Sequence, residues 1–321
     1  GENIRGWNKH GTHANIASYC RHIMPFWETG EVGWKIWFAN SVDAYGKRKP
    51  QLVSPVLYGE NVDGYGIANI NHDYGSDIQE VAPSFGASAI CLFENPDKPD
   101  RDRFVLSKGH TAPGLYSTLA HRGFFPVEDL VTLRKLGSYL QGHPSMQYIP
   151  GVDMSTGSLG QGISAAAGMA LGGKLDNKDY RVYTLLGDGE IEEGQVWEAA
   201  MFAGFHKLDN LVVIVDNNGL QIDGPIDQVC SPYPIDKKFE AFNFHVINVA
   251  DGNDMAQLRA AFDEVKTVKG MPTAIVMKTV KGKGVSFMEN QVGWHGKAPN
   301  DEEYAQAMAD LEKVGEALCQ K

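Results

Sequence analysis

Over the C-terminal two-thirds of the chain, apolar residues come in short unbroken runs, and helix-like stretches alternate with them. "FVLS" (104–107), "YRVYTLL" (180–186), "NLVVIVD" (210–216), "HVINV" (245–249) and "TAIVMKTV" (273–280) have strand length and many β-branched residues. Little polar–apolar alternation breaks the central runs, which predicts strands covered on both faces. The intervening stretches 111–123, 127–137, 159–175, 192–208, 255–268 and 300–320 read as helices, with Gly123 and Gly137 as stops. In 255–268, Met255, Leu258, Ala261, Phe262 and Val265 fall on one helical face. Strand and helix in alternation predict an α/β domain with a mostly parallel sheet flanked by helices.

Residues 1–95 have a different texture. "NVDGYGIANINHDYGSD" is rich in turn formers, and only "WKIWFANSV" (34–42) and "PQLVSPVLYG" (50–59) read as short strands. The pattern changes at "NPDKPDRDRF" (95–104). The chain is therefore divided into an unassigned Gly- and aromatic-rich segment, 1–95, and an α/β domain, 96–321. No internal repeat is visible.

Composition narrows the function. The 321 residues are 43% hydrophobic and 21% charged, with a net charge of −11. Such acidity disfavours nucleic acid or an anionic membrane as a partner, yet leaves room for a small phosphorylated substrate held by a local basic or metal site. No run approaches the roughly 18 apolar residues of a membrane span, and no secretory signal is visible. The start at Gly1 is compatible with a processed or trimmed N-terminus. Cys20, Cys91, Cys230 and Cys319 are scattered and form no CxxC pair, which points to a reduced, cytoplasmic protein without a zinc site.

The chemistry concentrates after two of the strands. Asp188 lies in "GDG" just past one apolar run, and Asn218 in "DNNG" just past the next, 30 residues on. One crossover helix between them would make the two strands parallel and close. Their ligand-binding ends would then bring a carboxylate and an amide oxygen together. That suits Mg²⁺, which takes few charged oxygens and completes its shell with phosphate and water. Gly187 and Gly189 would let a diphosphate approach the backbone, and the next helix start would offer N–H groups. Taken singly, Asp188 reads as a helix cap and Asn218-Gly219 as a tight turn. Together, at the ends of one βαβ unit, they favour the shared cation.

Three further groups accompany them. "STGSLGQG" (155–162) lacks the G-x-G-x-x-G order, so a nicotinamide site is disfavoured. The segment reads either as close packing through small residues or as a loop along a cofactor's body. His110, His143 and His295 sit in Gly-flanked loops, "SKGH", "QGHP" and "WHGK". Lys281 and Lys283, in "KTVKGKG", read as a solvated basic loop in preference to an anion site.

In their order, "DRDRFVLSKGH", "QGHP", "TGSLGQG", "GDGEIEEGQVWEA", "DNNGLQIDG" and "KTVKGKG…WHGKAPN" resemble the N-terminal, diphosphate-binding half of transketolase. The resemblance covers about 70% of the chain. It implies the thiamine diphosphate-binding fold and a two-carbon ketol transfer from a ketose to an aldose, with thiamine diphosphate and Mg²⁺ as cofactors, as in the pentose phosphate pathway. It implies roles as well. Asp188, Asn218 and the Leu220 carbonyl would hold Mg²⁺. Gly187 and Gly189 would lie at the phosphates, and Gly157 and Leu159 along the cofactor. His110 and His295 would face the sugar substrate. Glu193 would join an acidic network at a subunit interface.

The family pattern is not complete here. Whole transketolases are about twice this length, and their second domain supplies the glutamate that activates the aminopyrimidine. No such domain is visible, which implies a split enzyme: this chain as the N-terminal subunit, with a C-terminal partner of about 300 residues in a hetero-oligomer such as a heterotetramer. The family's helices and "GHPG" histidine segment are missing from residues 1–95, where His10, His13 and His72 stand instead. A non-catalytic scaffold subunit is the alternative that this gap favours. Another thiamine diphosphate enzyme subunit, of the 2-oxo acid dehydrogenase or deoxyxylulose-phosphate synthase type, is disfavoured by "NGLQIDG".

Overall fold

A computed structural model describes residues 101–319, and side chains as far as residue 314. The chain divides into two units, Gly1–Asp73 and Tyr74–Lys321, and every described residue belongs to the second. The strands read at 34–42 and 50–59, and His10, His13 and His72, lie outside the described residues.

In chain order the elements are β1 (Arg103–Leu106), α1 (Ala112–His121), α2 (Gly162–Leu175), β2 (Val182–Gly187), α3 (Gly194–Phe205) and β3 (Leu211–Asn217). A small hairpin of β4 (Leu220–Gln221) and β5 (Gly224–Pro225) follows, then α4 (Ile226–Val229) and α5 (Ile235–Ala241). The unit ends with β6 (His245–Val249), α6 (Met255–Val265), β7 (Thr273–Lys278) and α7 (Asp301–Cys319). Five strands form one sheet in the order β1-β2-β3-β7-β6, with every neighbouring pair parallel.

The unbroken apolar runs are explained by two cores. Phe104, Leu106, Tyr183, Leu185, Val212, Ile214, Ile275 and Met277 project to one face, where α1 and α6 cover them. Their neighbours Val105, Val182, Leu186, Val213, Val215, Ala274 and Val276 project to the other, against α2, α3 and α5. Alternate residues of one strand thus serve opposite cores, so both must be apolar. Each large aliphatic side chain so buried contributes about 1.5–3 kcal/mol before entropy is counted. The small faces of α2 and α3, through Ala166, Ala167, Ala170, Ala199, Ala200 and Ala203, let those helices lie close to the sheet.

Gly123 ends α1 as its position predicts. It takes φ +87°, its N–H donates to the Ala120 carbonyl, and the Phe124 N–H donates to the Leu119 carbonyl, both at 2.9 Å. This is the paired closure that a left-handed glycine allows. The helix read over 127–137 is not formed. A 3-10 segment covers only Val127–Thr132, Leu133 is extended, and Arg134 takes φ 62° to donate its N–H to the Leu140 carbonyl. The apolar spacing there is helical, but Val131 and Leu136 are 72% and 106% exposed. Only Leu130 and Leu133 rest partly on the core, so no buried face sustains a longer helix.

Candidate active site

Four consecutive strands, β1, β2, β3 and β7, end at the same edge of the sheet, where Gly187 lies level with Asp216 and Asn217 with Lys278. Their loops carry, in that order, Lys108 and His110, then Asp188 and Gly189, then Asn218, then Thr279 and Lys281. Ligands of open parallel sheets bind at this edge.

Asp188 is 1% exposed. Its Oδ1 accepts from the Gly189 N–H at 3.0 Å, and its Oδ2 accepts from the Gly219 N–H at 2.6 Å. The second bond ties the β2 loop to the β3 loop and joins Asp188 to the turn that carries Asn218 and Leu220. The Asn218 Oδ1 accepts from the Leu220 N–H at 3.1 Å, and Gly219 takes φ +78°. The tight-turn reading of Asn218-Gly219 therefore also holds, whereas Asp188 caps no helix: Gly189 stands at the cap position of the 3-10 turn that follows, and Glu193 at that of α3. Each oxygen retains a second lone pair for another partner. Burial pushes the Asp188 carboxyl up to about 6; the Gly219 N–H and Lys108 oppose that, and nearby Asp216 adds to it.

Below this pair, Asp216 accepts from the Lys108 ammonium and from the Thr279 hydroxyl, all three groups buried. Positive charge lines the same edge. Lys281 Nζ sits 3.3 Å from His295 Nδ1. The His110 and His295 rings stack with centroids 5.2 Å apart and planes 24° apart. Lys281 is thus turned inward, which corrects its reading as part of a solvated loop; only Lys283 is exposed, 3.6 Å from Glu289. Burial lowers His110 to about 4, helped by His295, Lys108 and Lys281, and lowers His295 as well. Both rings are neutral at pH 7 and can accept a proton. An NMR titration of His110 should give a midpoint near 4, and one at 6.5 or above would contradict a buried, neutral ring. Between those values the unfolded chain binds a proton that the folded chain refuses, so this group lowers stability as pH falls from 6.5 toward 4.

The loop at 155–160 closes over the turn that carries His110. The Thr156 hydroxyl donates to the Leu106 carbonyl at 2.6 Å. A Cβ on Gly109 would meet Thr156 Oγ1 at 2.8 Å and the Gly157 nitrogen at 3.0 Å, and one on Gly157 would meet the His143 ring at 3.3 Å. Gly157, His143 and the His110 turn are thereby brought together. Leu159 is 38% exposed on the same loop. Glu193 caps the start of α3 in an exposed position and packs against Gly160.

Two features depart from the sequence reading. The helix after "GDG" starts only at Gly194, behind a 3-10 turn, Glu190–Glu192. Its first amides are therefore not adjacent to Asp188, and the Gly187 and Gly189 N–H groups donate to Glu190 and Asp188. The second is Glu190 itself, which nothing in its local sequence marks out. It is buried, and it accepts from Ser107 Oγ at 2.5 Å, from the Gly160 N–H at 2.9 Å and from the Gly187 N–H at 3.1 Å. Burial raises its carboxyl and the three donors oppose that.

The donor set fits Mg²⁺ and a diphosphate. One carboxylate, one amide oxygen and nearby backbone carbonyls are oxygen donors with little charge. Gln221 Oε1 is buried without a hydrogen-bond partner, beside Gly189, where a Cβ would meet it at 2.9 Å. A lone acceptor there suits a donor such as metal-bound water. Among the described residues no group of three or more His, Cys, Asp or Glu could hold a metal; the donor set at the β2 and β3 loops has a single carboxylate. No helix among the described residues is long and apolar enough to cross a membrane.

Comparison with known proteins agrees with this fold. Residues 81–313 match the family described as transketolase, thiamine diphosphate binding domain. Residues 3–107 match a domain of unknown function, DUF4861. The chain is 46% identical over 221 residues to the 6-deoxy-6-sulfo-D-fructose transketolase subunit SqwG of Clostridium sp. (strain MSTE9), covering 69% of this chain and 80% of that one. It is 42% identical over 226 residues to a subunit of the apulose-4-phosphate transketolase of Phocaeicola vulgatus, covering 70% and 80%. Among solved structures, the transketolase of Campylobacter jejuni superposes with a TM-score of 0.63 at 34% identity. That match covers 66% of this chain and 34% of the solved one. The sheet order, the flanking helices and these matches together place the chain in the transketolase family, through its thiamine diphosphate binding domain.

Proposed function

We propose that this chain is the diphosphate-binding, N-terminal subunit of a two-subunit transketolase that moves a two-carbon ketol unit from a ketose to an aldose. Residues 96–321 are its diphosphate-binding domain, and residues 1–95 are unassigned. The observation that carries this reading is the Gly219 N–H bonded to Asp188, which joins two loops at neighbouring strand ends. The names of two relatives support a split enzyme, since both are called transketolase subunits. The scattered cysteines are in keeping with a cytoplasmic setting.

Asp188, Asn218 and the Leu220 carbonyl would hold Mg²⁺. Gly187 and Gly189 leave the backbone open to the diphosphate, while Gly157 and Leu159 flank the cofactor. Thiamine diphosphate, when bound, supplies an electron sink for the carbanion left by carbon–carbon cleavage. His110 and His295, neutral and stacked, hold or move a proton at the sugar's oxygens. Lys281, turned inward beside His295, balances incoming negative charge. Glu193, exposed at the start of α3, meets the partner subunit.

The test uses the complex that co-purifies with the chain from its native source. After chelator stripping, a ketose–aldose assay should recover transfer only when thiamine diphosphate and Mg²⁺ are both returned. A stripped complex that takes up neither, by calorimetry, overturns the proposal.

A further inference from the structure

We propose that Glu190 is a positioning residue whose one buried carboxylate latches together the three loops at the diphosphate end of the site. This rests on the functional reading of those loops. Its three donors come from three segments. Ser107 lies just before His110, Gly160 just after Leu159, and Gly187 directly before Asp188. They are 83, 30 and 3 residues away in sequence.

Glu190 is 3% exposed, and the nearby buried lysine, Lys108, is paired with Asp216. Its charge is therefore held chiefly by one hydroxyl and two amides. Hydrogen bonds to an ionised acceptor are stronger than neutral ones. An apolar side chain of the same size would fill the space yet leave all three donors buried and unpaired. Among the described residues, the 155–160 loop has one other side-chain tie to the His110 turn, the Thr156 hydroxyl on the Leu106 carbonyl, and it lies at the loop's other end. Gly160, at φ +83°, and Gly162, pressed against Ser107, have no side chains with which to anchor the segment. Glu190 touches no reacting atom in this scheme; it acts through the placement of Gly157, Leu159, Asp188 and His110.

The test compares Glu190→Ala and Glu190→Gln with wild type in the co-purified complex. It reads thiamine diphosphate affinity with Mg²⁺ by calorimetry, and amide exchange without cofactor. Glu190→Ala should weaken affinity about 10–100-fold, as loss of an outer-shell partner of a metal site does. Exchange should quicken at Gly160 and Gly187 and stay unchanged in β3 and β7. Glu190→Gln should fall between, because it keeps an acceptor for Ser107 and Gly160 and turns an N–H toward Gly187. Unchanged affinity in a folded variant overturns the latch, as does exchange that rises equally throughout the sheet. If Glu190→Ala does not fold, Glu190→Gln decides by the same two readings. A wild-type complex that binds no thiamine diphosphate defeats the functional reading alone, since selective exchange at Gly160 and Gly187 still decides the latch.

Discussion

Asp188→Ala is expected to weaken Mg²⁺-dependent binding of thiamine diphosphate by more than about 100-fold, beyond what loss of an outer-shell partner costs a metal site. The side chain does two jobs in the proposed site. It offers the one carboxylate close to Asn218, and it holds the β3 loop through the Gly219 N–H at 2.6 Å. Alanine removes both and leaves the Gly189 and Gly219 amides unpaired, at about 1–3 kcal/mol each. Asp188→Asn separates the two jobs. It keeps an oxygen for the Gly219 N–H and removes the charge, so the complex should fold as wild type and still lose at least about 10-fold in affinity. Calorimetry with and without Mg²⁺ reads both variants. Unchanged affinity in Asp188→Ala would remove this residue from the metal site.

The sequence shows the two strands that deliver Asp188 and Asn218 plainly, for a physical reason. A strand in the middle of a sheet covered by helices on both sides is largely apolar on both faces, and "LVVIV" is wholly so, "YTLL" but for the buried Thr184. Their adjacency is also legible, because one short crossover leaves few other choices. The order of the later strands is not. Nothing local says that β7 pairs with β3 and leaves β6 at the edge, yet that pairing brings Thr279 to Asp216 and Lys281 to His295. Lys281 therefore reads as solvated in the sequence and is turned inward in the fold. Short elements escape for a related reason: α5 has only Ile235 and Phe239 as buried anchors, too few to show a period. The stretch 127–137 has the period without a surface to bury against. Glu190 is the clearest omission. Within "GDGEIEEG" it looks like one more solvated acid, and its partners Ser107 and Gly160 are distant in sequence.

The chain purified alone is expected to show less than about one hundredth of the ketol transfer of its complex, the scale of one missing acid–base group. Three carboxylates at the sheet edge are committed, while Glu192, in the same turn as Glu190, keeps a buried Oε1 without a hydrogen-bond partner. Asp188 accepts from two amides, Asp216 from Lys108 and Thr279, and Glu190 from three donors. None of these three is left to exchange a proton with the far end of a bound cofactor. His110 and His295 stand on the substrate side in the proposed scheme, and Glu193 faces outward at the start of α3. A partner subunit would therefore bring the missing acid, and the same contact would shut water out of the site. Mixing the two purified subunits should restore transfer along a saturating curve as partner is added, while thiamine diphosphate and Mg²⁺ alone restore none. Full activity of the single chain would show that the acid lies within it, and would turn the search toward residues 1–100.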